Sequence, residues 1–256
     1  IYDSVKNSYS LDKVESPEQF YITAKAFGRF AYDLNDFDAS QLVEVIPKFH
    51  DTRNRYRQLE EAIREDRVGR VKEVQEEIAF IQNRKADCFL LYDLLDEGVL
   101  PLRVTHNDTK LNNIMFDSET KEPLCIVDLD TVMPGLVLFD FGDSIRFGAN
   151  DCAEDEPDLS KVNFDFDLYE TYVKGFIEGT NGILTEAELE YLPWGARVIT
   201  LEQGIRFLTD YINGDIYYQT TRPGQNLDRA RTQLKLVQDM ENVWDKMVEA
   251  VQNAQK

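Results

Sequence analysis

Between residues 102 and 129 the sequence stops repeating every three to four residues and begins alternating in short runs, and no other feature of the chain constrains its fold as much. Arg103-Val104-Thr105, Asn113-Ile114-Met115-Phe116 and Leu124-Cys125-Ile126-Val127 are strand-like, and the polar residues from Asp117 to Pro123 predict a hairpin turn between the last two runs. On both sides helical spacing returns. Upstream, Ser16-Pro17-Glu18-Gln19 supplies an N-cap, a proline at the first helical position and a glutamine at the third, followed by Phe20, Ala24, Phe27, Ala31 and Leu34 in helical phase. Over residues 53–96 the apolar positions Val71, Val74, Ile78, Ile81, Leu91 and Leu95 predict two helices broken near Gly69, with Gly98 and Pro101 as stop signals. Downstream, helices are predicted over 166–179, over 186–213 with a kink at Pro193 and a Thr185/Glu188 capping box, and over 227–251. The expected fold class is mainly α with a small β-hairpin island, and no repeat or low-complexity linker divides residues 1–256.

Charge narrows the partners. With 28 Lys and Arg against 48 Asp and Glu the net charge is −20, and no basic cluster interrupts it, which argues against nucleic acid or an anionic membrane surface as a partner. Fifteen Phe and twelve Tyr supply enough bulky apolar surface to exclude a disordered acidic chain. The longest apolar runs, interrupted by Asp93 and Asp140, fall short of the roughly 20 residues a bilayer span needs. Cys88, Cys125 and Cys152 are sparse, odd in number and without CxxC spacing, so a reducing, cytoplasmic compartment is expected.

The residues that carry chemistry lie in the island. His106, Asp108 and Asn113 sit in one short stretch, and Asp128 follows at the far end of the predicted hairpin, which returns it beside Asn113. An amide oxygen and a carboxylate held together suit Mg²⁺, which takes few protein oxygens and fills its other positions with water and phosphate. Asp108, off the metal, is left to accept a hydroxyl proton, and Lys110 to place positive charge on a phosphoryl group in transfer. The spacing is that of the kinase catalytic loop, H-R-D-x-x-x-x-N followed by a metal-binding Asp. In a chain of this length H-x-D-x-x-x-x-N arises by chance roughly once in a hundred sequences, so the match outweighs a set of turn and cap residues. His106 is expected to order the loop and take no part in the reaction.

On these residues the chain resembles the aminoglycoside phosphotransferase and choline kinase superfamily, which shares the protein-kinase fold, and within it the bacterial N-acetylhexosamine 1-kinases. The likeness runs through residues 106–117, 126–150, Phe49-His50-Asp51-Thr52 and 202–218, and so through most of the chain. The resemblance implies Asp108 as catalytic base, Lys110 at the γ-phosphate, Asn113 and Asp128 as Mg²⁺ ligands with Asp130 a weaker third, and ATP as donor. It implies that Arg206 and Tyr217 reach the sugar, and that the product is the 1-phosphate of N-acetylglucosamine or N-acetylgalactosamine, a step in carbohydrate metabolism. No glycine-rich phosphate loop precedes Asp108, and Gly28, the one glycine in the first sixty residues, lies inside a helix. Residues 1–256 are therefore expected to form a carboxyl-terminal lobe, with Ile1-Tyr2-Asp3 just after the interlobe hinge, and to be inactive without an amino-terminal ATP-binding lobe from the same protein. The missing initiator Met fits a start inside a longer chain. Another small-molecule kinase of the superfamily and a non-catalytic scaffold are the competing expectations.

Three groups stay open at this level. Asp140 and Asp143 either cap the start of a helix or brace the catalytic loop. Glu202, Arg206 and Asp210, at i, i+4 spacing, fit a solvent-side ion pair as readily as a sugar contact. The pair Tyr217-Tyr218 fits either a core or a ligand platform.

Overall fold

A computed structural model describes residues 5–256; the segment assigned above to the end of an interlobe hinge, Ile1-Tyr2-Asp3, lies outside them. Strand β1 (Ser8–Tyr9) leads into α1 (Pro17–Asp33), where Ser16 Oγ accepts the Gln19 N–H as its composition predicts. Helices α2 (Thr52–Glu65), α3 (Gln75–Gln82) and α4 (Lys85–Asp96) follow, then β2 (Arg103–Thr105), β3 (Ile114–Asp117), β4 (Pro123–Ile126) and β5 (Met133–Gly135). The chain closes with α5 (Val137–Gly148), α6 (Phe166–Thr180), α7 (Glu186–Asn213), α8 (Gln225–Asn242) and α9 (Trp244–Ala254).

The expected hairpin forms between β3 and β4, pairing Ile114 with Ile126, but the β structure exceeds one hairpin. β1 adds to β3 as a third antiparallel strand, and β2 pairs antiparallel with β5 as a separate ribbon. β2 is the run Arg103-Val104-Thr105 expected above, whereas β1 and β5, two and three residues long, are too short to alternate visibly in sequence.

Two helix expectations need correction. Residues 52–96 hold three α-helices: α2 ends at Asp66 in left-handed geometry (φ 39°), and its carboxylate accepts the Val71 N–H. The second break, at Asn83-Arg84, has no glycine or proline; there Arg84 lies over the Phe80 ring and pairs with Glu241 of α8. The predicted helix over 227–251 is likewise two, interrupted at Val243, where the turn sets Trp244 against Trp194 at 4.9 Å between ring centroids. Long-range packing overrides periodicity in both cases.

Two apolar clusters share one long helix. Leu192, Ala196 and Ile199 of α7 join the cluster built by α1, α5, α6 and α9, and Leu201, Ile205, Leu208 and Ile212 join that of α2, α3 and α8. At 28 residues α7 is about 42 Å long, enough to run through both. Its start is fixed by the Thr185/Glu188 capping box, and Glu188 also holds Arg103 of β2 at 2.5 Å. Among the described residues no helix is long and apolar enough to cross a membrane.

Candidate active site

The loop after β2 is held almost wholly by its own peptide groups. Asp140, in the first turn of α5, accepts the N–H groups of His106 (2.8 Å) and Asn107 (2.7 Å), while Thr109 Oγ1 donates to the Asp140 carbonyl. Helix capping, the simpler sequence expectation for Asp140, is not its role; Leu136 occupies the cap and offers no side-chain bond. Burial pushes the Asp140 carboxyl up to about 6, against the pull of the His106 ring and of the two backbone N–H groups. Asp143, one turn on, pairs with Arg146 at 2.9 Å; burial opposes its charge, but Arg146, His50 and Lys110 hold it below the usual carboxylate range.

His106 is fully buried, edge-on to Phe27 and Phe30. Its Nε2 faces the Val127 carbonyl at 3.0 Å and must donate, so Nδ1 is unprotonated and accepts the Asp108 N–H at 3.3 Å. This is the ordering role expected of it. Asn107 takes left-handed backbone geometry (φ 64°), which asparagine tolerates, and its side chain ties Thr105 and Thr131 together.

Asp108 is partly exposed and carries two contacts. Lys110 Nζ lies 2.7 Å from Oδ1, and Asn113 Nδ2 donates to Oδ2 (3.2 Å) and to the Asp108 carbonyl (2.8 Å). With its amide nitrogen so engaged, the Asn113 oxygen has no hydrogen bond among the described residues. The hairpin register, with the Val127 N–H donating to the Asn113 carbonyl at 2.9 Å, brings Asp128 alongside, exposed and left-handed (φ 59°, ψ 52°). Asp130 is exposed one turn further on. Among the described residues no group of three or more His, Cys, Asp or Glu forms a metal cage. An uncommitted amide oxygen beside an exposed carboxylate nevertheless fits Mg²⁺, which needs few protein ligands.

The Asp108 carboxylate opens into a cavity of about 340 Å³ lined by Glu202, Gln203, Arg206 and Phe207 of α7, with Phe49, His50, Tyr218 and Arg229 around them. Past Lys110, Arg146 and Glu154 it runs into a wider cleft of about 890 Å³. Glu202 is 1% exposed and Asp210 4%, so the solvent-side ion pair is ruled out. Arg206 does face the cavity, but Tyr217 does not: it is 74% exposed and lines a separate depression behind Arg206 and Tyr218. Tyr218 is the aromatic that enters, its hydroxyl accepting from Gln203 Nε2 at 3.2 Å. Asp210 sets this arrangement by accepting the N–H groups of Ile216, Tyr217 and Tyr218.

Every carboxylate of the cavity already has a cation. Asp108 has Lys110, Asp143 and Glu154 share Arg146, and Glu202 has His50 at 2.9 Å, Arg55 at 3.6 Å and Arg206 at 3.9 Å. Burial pushes the Glu202 carboxyl up, but these cations hold it below its ordinary value. The aromatic faces are occupied too: the Arg206 guanidinium lies 5.5 Å from the Phe49 centroid and 5.8 Å from that of Tyr218, and Arg229 lies 5.5 Å from that of Phe207. The sequence did not single out His50, Tyr218 or Arg229 as site residues. His50 had a signal, as one of two histidines in the chain and as part of Phe49-His50-Asp51-Thr52, and Tyr218 had one as half of the pair left open between core and ligand platform; Arg229 had none.

Residues 9–171 match the model of the phosphotransferase enzyme family, a span that includes Asp108, Lys110, Asn113, Asp128 and Asp140. Among solved structures the chain is similar to a choline/ethanolamine kinase family protein from Mesorhizobium loti, with 16% identity, a TM-score of 0.50, and coverage of 97% of this chain and 73% of that one. It is also similar to choline kinase from Cryptosporidium parvum Iowa II, with 13% identity, a TM-score of 0.52, and coverage of 96% and 73%. At these identities the likeness is one of fold.

Proposed function

The chain belongs to the phosphotransferase enzyme family, and on that premise we propose that it transfers the γ-phosphoryl group of ATP to the anomeric hydroxyl of an N-acetylhexosamine, giving the sugar 1-phosphate. Asp108 accepts the hydroxyl proton as the acceptor oxygen bonds to phosphorus and the bond to the ADP oxygen breaks. Lys110, paired with Asp108 Oδ1 at rest, is drawn to the phosphate, which frees that oxygen for the proton and places positive charge where negative charge spreads. Asn113 and Asp128 would hold Mg²⁺, with Asp130 a weaker contact; bound there, the ion neutralises phosphate charge.

The observation that carries the acceptor class is the full pairing of the cavity's charges. Recognition of a quaternary or primary amine needs a free carboxylate or an open aromatic face. Here the four carboxylates hold cations, and guanidinium groups cover Phe49, Phe207 and Tyr218. A neutral sugar meets what remains: guanidinium and amide donors, a tyrosine tip and carboxylate oxygens for its hydroxyls. The acetamido group and the anomeric position rest on the resemblance of residues 106–117, 126–150 and 202–218 to N-acetylhexosamine 1-kinases.

A scaffold without chemistry has no use for the set of Asp108, Asn113 and Asp128. The experiment is an acceptor panel of N-acetylglucosamine, N-acetylgalactosamine, glucose, choline and ethanolamine with Mg·ATP and the full-length protein, products read by ³¹P NMR. A sugar 1-phosphate is expected. A 6-phosphate rejects the anomeric assignment, and phosphocholine as the preferred product rejects the neutral acceptor.

A further inference from the structure

His50 stands apart from the residues that touch reacting atoms, yet it connects the acceptor helix to the base. It follows Phe49 just before α2 and is 7% exposed, its ring between those of Phe49 (4.6 Å between centroids) and Phe139 (5.4 Å). Nδ1 lies 2.9 Å from Glu202 Oε2, and Nε2 lies 2.9 Å from the Asn107 carbonyl oxygen. Both partners only accept. A neutral imidazole has one N–H and satisfies one of them; satisfying both takes the doubly protonated ring.

The Asn107 carbonyl belongs to the peptide that precedes Asp108, and the N–H of that same peptide donates to His106 Nδ1. Both histidines of the chain therefore grip one peptide bond, His50 as donor to its oxygen and His106 as acceptor from its nitrogen. Glu202, on the same helix as Arg206, closes the connection from the cavity wall to the base.

We propose that His50, as an imidazolium anchored by Glu202, is a positioning residue for phosphoryl transfer: it fixes the Asn107–Asp108 peptide, and so the direction of the Asp108 carboxylate, only while charged. This rests on the phosphoryl-transfer reading above. The carboxylates facing the ring are Glu202 on α7, Asp140 and Asp143 on α5 and Asp108 in the loop; Arg55 on α2, Lys110, Arg146 and Arg206 oppose them. Burial pushes the His50 ring down, but the charge and hydrogen bond of Glu202, helped by Asp143, raise it above its ordinary value. Because the charged form is the positioning one, turnover falls as pH rises through that raised value.

Two amides dissect the ring. A glutamine nitrogen reaches about as far as Nε2 and keeps the bond to Asn107, whereas an asparagine nitrogen reaches only as far as Nδ1, keeps Glu202 and releases the loop. His50→Asn is expected to lower kcat by roughly 10- to 100-fold, the scale of a misdirected catalytic group, and His50→Gln by less. Nucleotide KM stays at the wild-type value in both, and the alkaline limb of the kcat profile disappears. Equal losses in the two variants, no loss, or an unchanged alkaline limb overturn the proposal. Nitrogen-15 NMR of the wild-type full-length protein is independent of activity and of whether the variants fold. With two histidines to assign in this chain, the expected spectrum shows the His50 ring doubly protonated and losing its second proton at higher pH than a free imidazole, and a His50 that is singly protonated where a free imidazole is still charged overturns the proposal. A wild-type protein that phosphorylates no acceptor refutes the phosphoryl-transfer reading instead.

Discussion

Gly142 on α5 and Gly195 on α7 meet backbone against backbone: a Cβ at 142 would lie 2.2 Å from the Gly195 carbonyl oxygen, and one at 195 would lie 2.3 Å from the Leu138 carbonyl oxygen. This crossing brings the helix of Asp140 and Asp143 against that of Glu202 and Arg206, so the brace of the catalytic loop and the wall of the acceptor cavity share one contact. The obstacle is backbone, which cannot rotate away. Gly142→Ala is accordingly expected to destabilise by about 3 kcal/mol, the upper end of ordinary overpacking, with a matching fall in the urea midpoint. A midpoint equal to wild type shows that the helices can part at no cost.

Asp140→Asn replaces two accepting oxygens by one oxygen and one N–H₂ group, leaving a loop N–H facing a donor. A loss of about 1–3 kcal/mol is expected for the unsatisfied group, together with reduced turnover. The pH signature distinguishes this residue from a generic core position. A carboxyl whose folded value, about 6, exceeds its unfolded 3.8 binds its proton more tightly when folded. Its contribution to stability therefore rises as pH falls from 6 toward 4, while the ionised form that accepts both N–H groups is lost. Wild-type turnover should drop through pH 6 as the stability difference between wild type and Asp140→Asn widens. A rate loss that tracks unfolding in that range contradicts this.

Asp108→Asn is expected to lower turnover by roughly 10² to 10⁴, as for loss of a general base, with Mg·ATP binding by calorimetry nearly unchanged. Asn113→Ala and Asp128→Ala are expected to shift the Mg²⁺ titration of the rate to higher concentration, because each removes an oxygen from the hairpin site. Metal titrations identical to wild type in these two variants would remove both from the metal.

The base, the amide and the hairpin carboxylate were legible in sequence because they lie within 21 residues and the hairpin that joins them is local. The remaining site residues are not local. Asp140 is 33 residues from Asn107, and its bracing bonds go to backbone N–H groups, which no residue type announces. His50 and Glu202 are separated by 152 residues, and the i, i+4 pattern of Glu202 with Arg206 and Asp210 cannot show that α7 is buried through two apolar clusters. Which of Tyr217 and Tyr218 lines the cavity is likewise not a local choice. It is made by the Asp210 carboxylate, which turns consecutive residues to opposite sides of a loop.

That choice is testable at the acceptor. Arg206 lies over Phe49 and Tyr218 and bonds to Gln203 at 3.1 Å, so its remaining donors are held at the cavity rather than swept through solvent. Arg206→Ala removes a charge-assisted donor worth about 1.5–3 kcal/mol and is expected to raise the sugar KM about ten- to hundred-fold while sparing the ATP KM. Tyr218→Phe removes a hydroxyl that meets Gln203 at the cavity wall, and a smaller rise in sugar KM is expected. Tyr217→Phe changes a side chain that is 74% exposed and turned to the depression behind the wall, so its kinetics should match wild type. Steady-state rates with both substrates varied separate the three cases. A sugar KM that rises in Tyr217→Phe and not in Tyr218→Phe would mean that the loop of residues 214–224 turns over when the acceptor binds, bringing the outer tyrosine in.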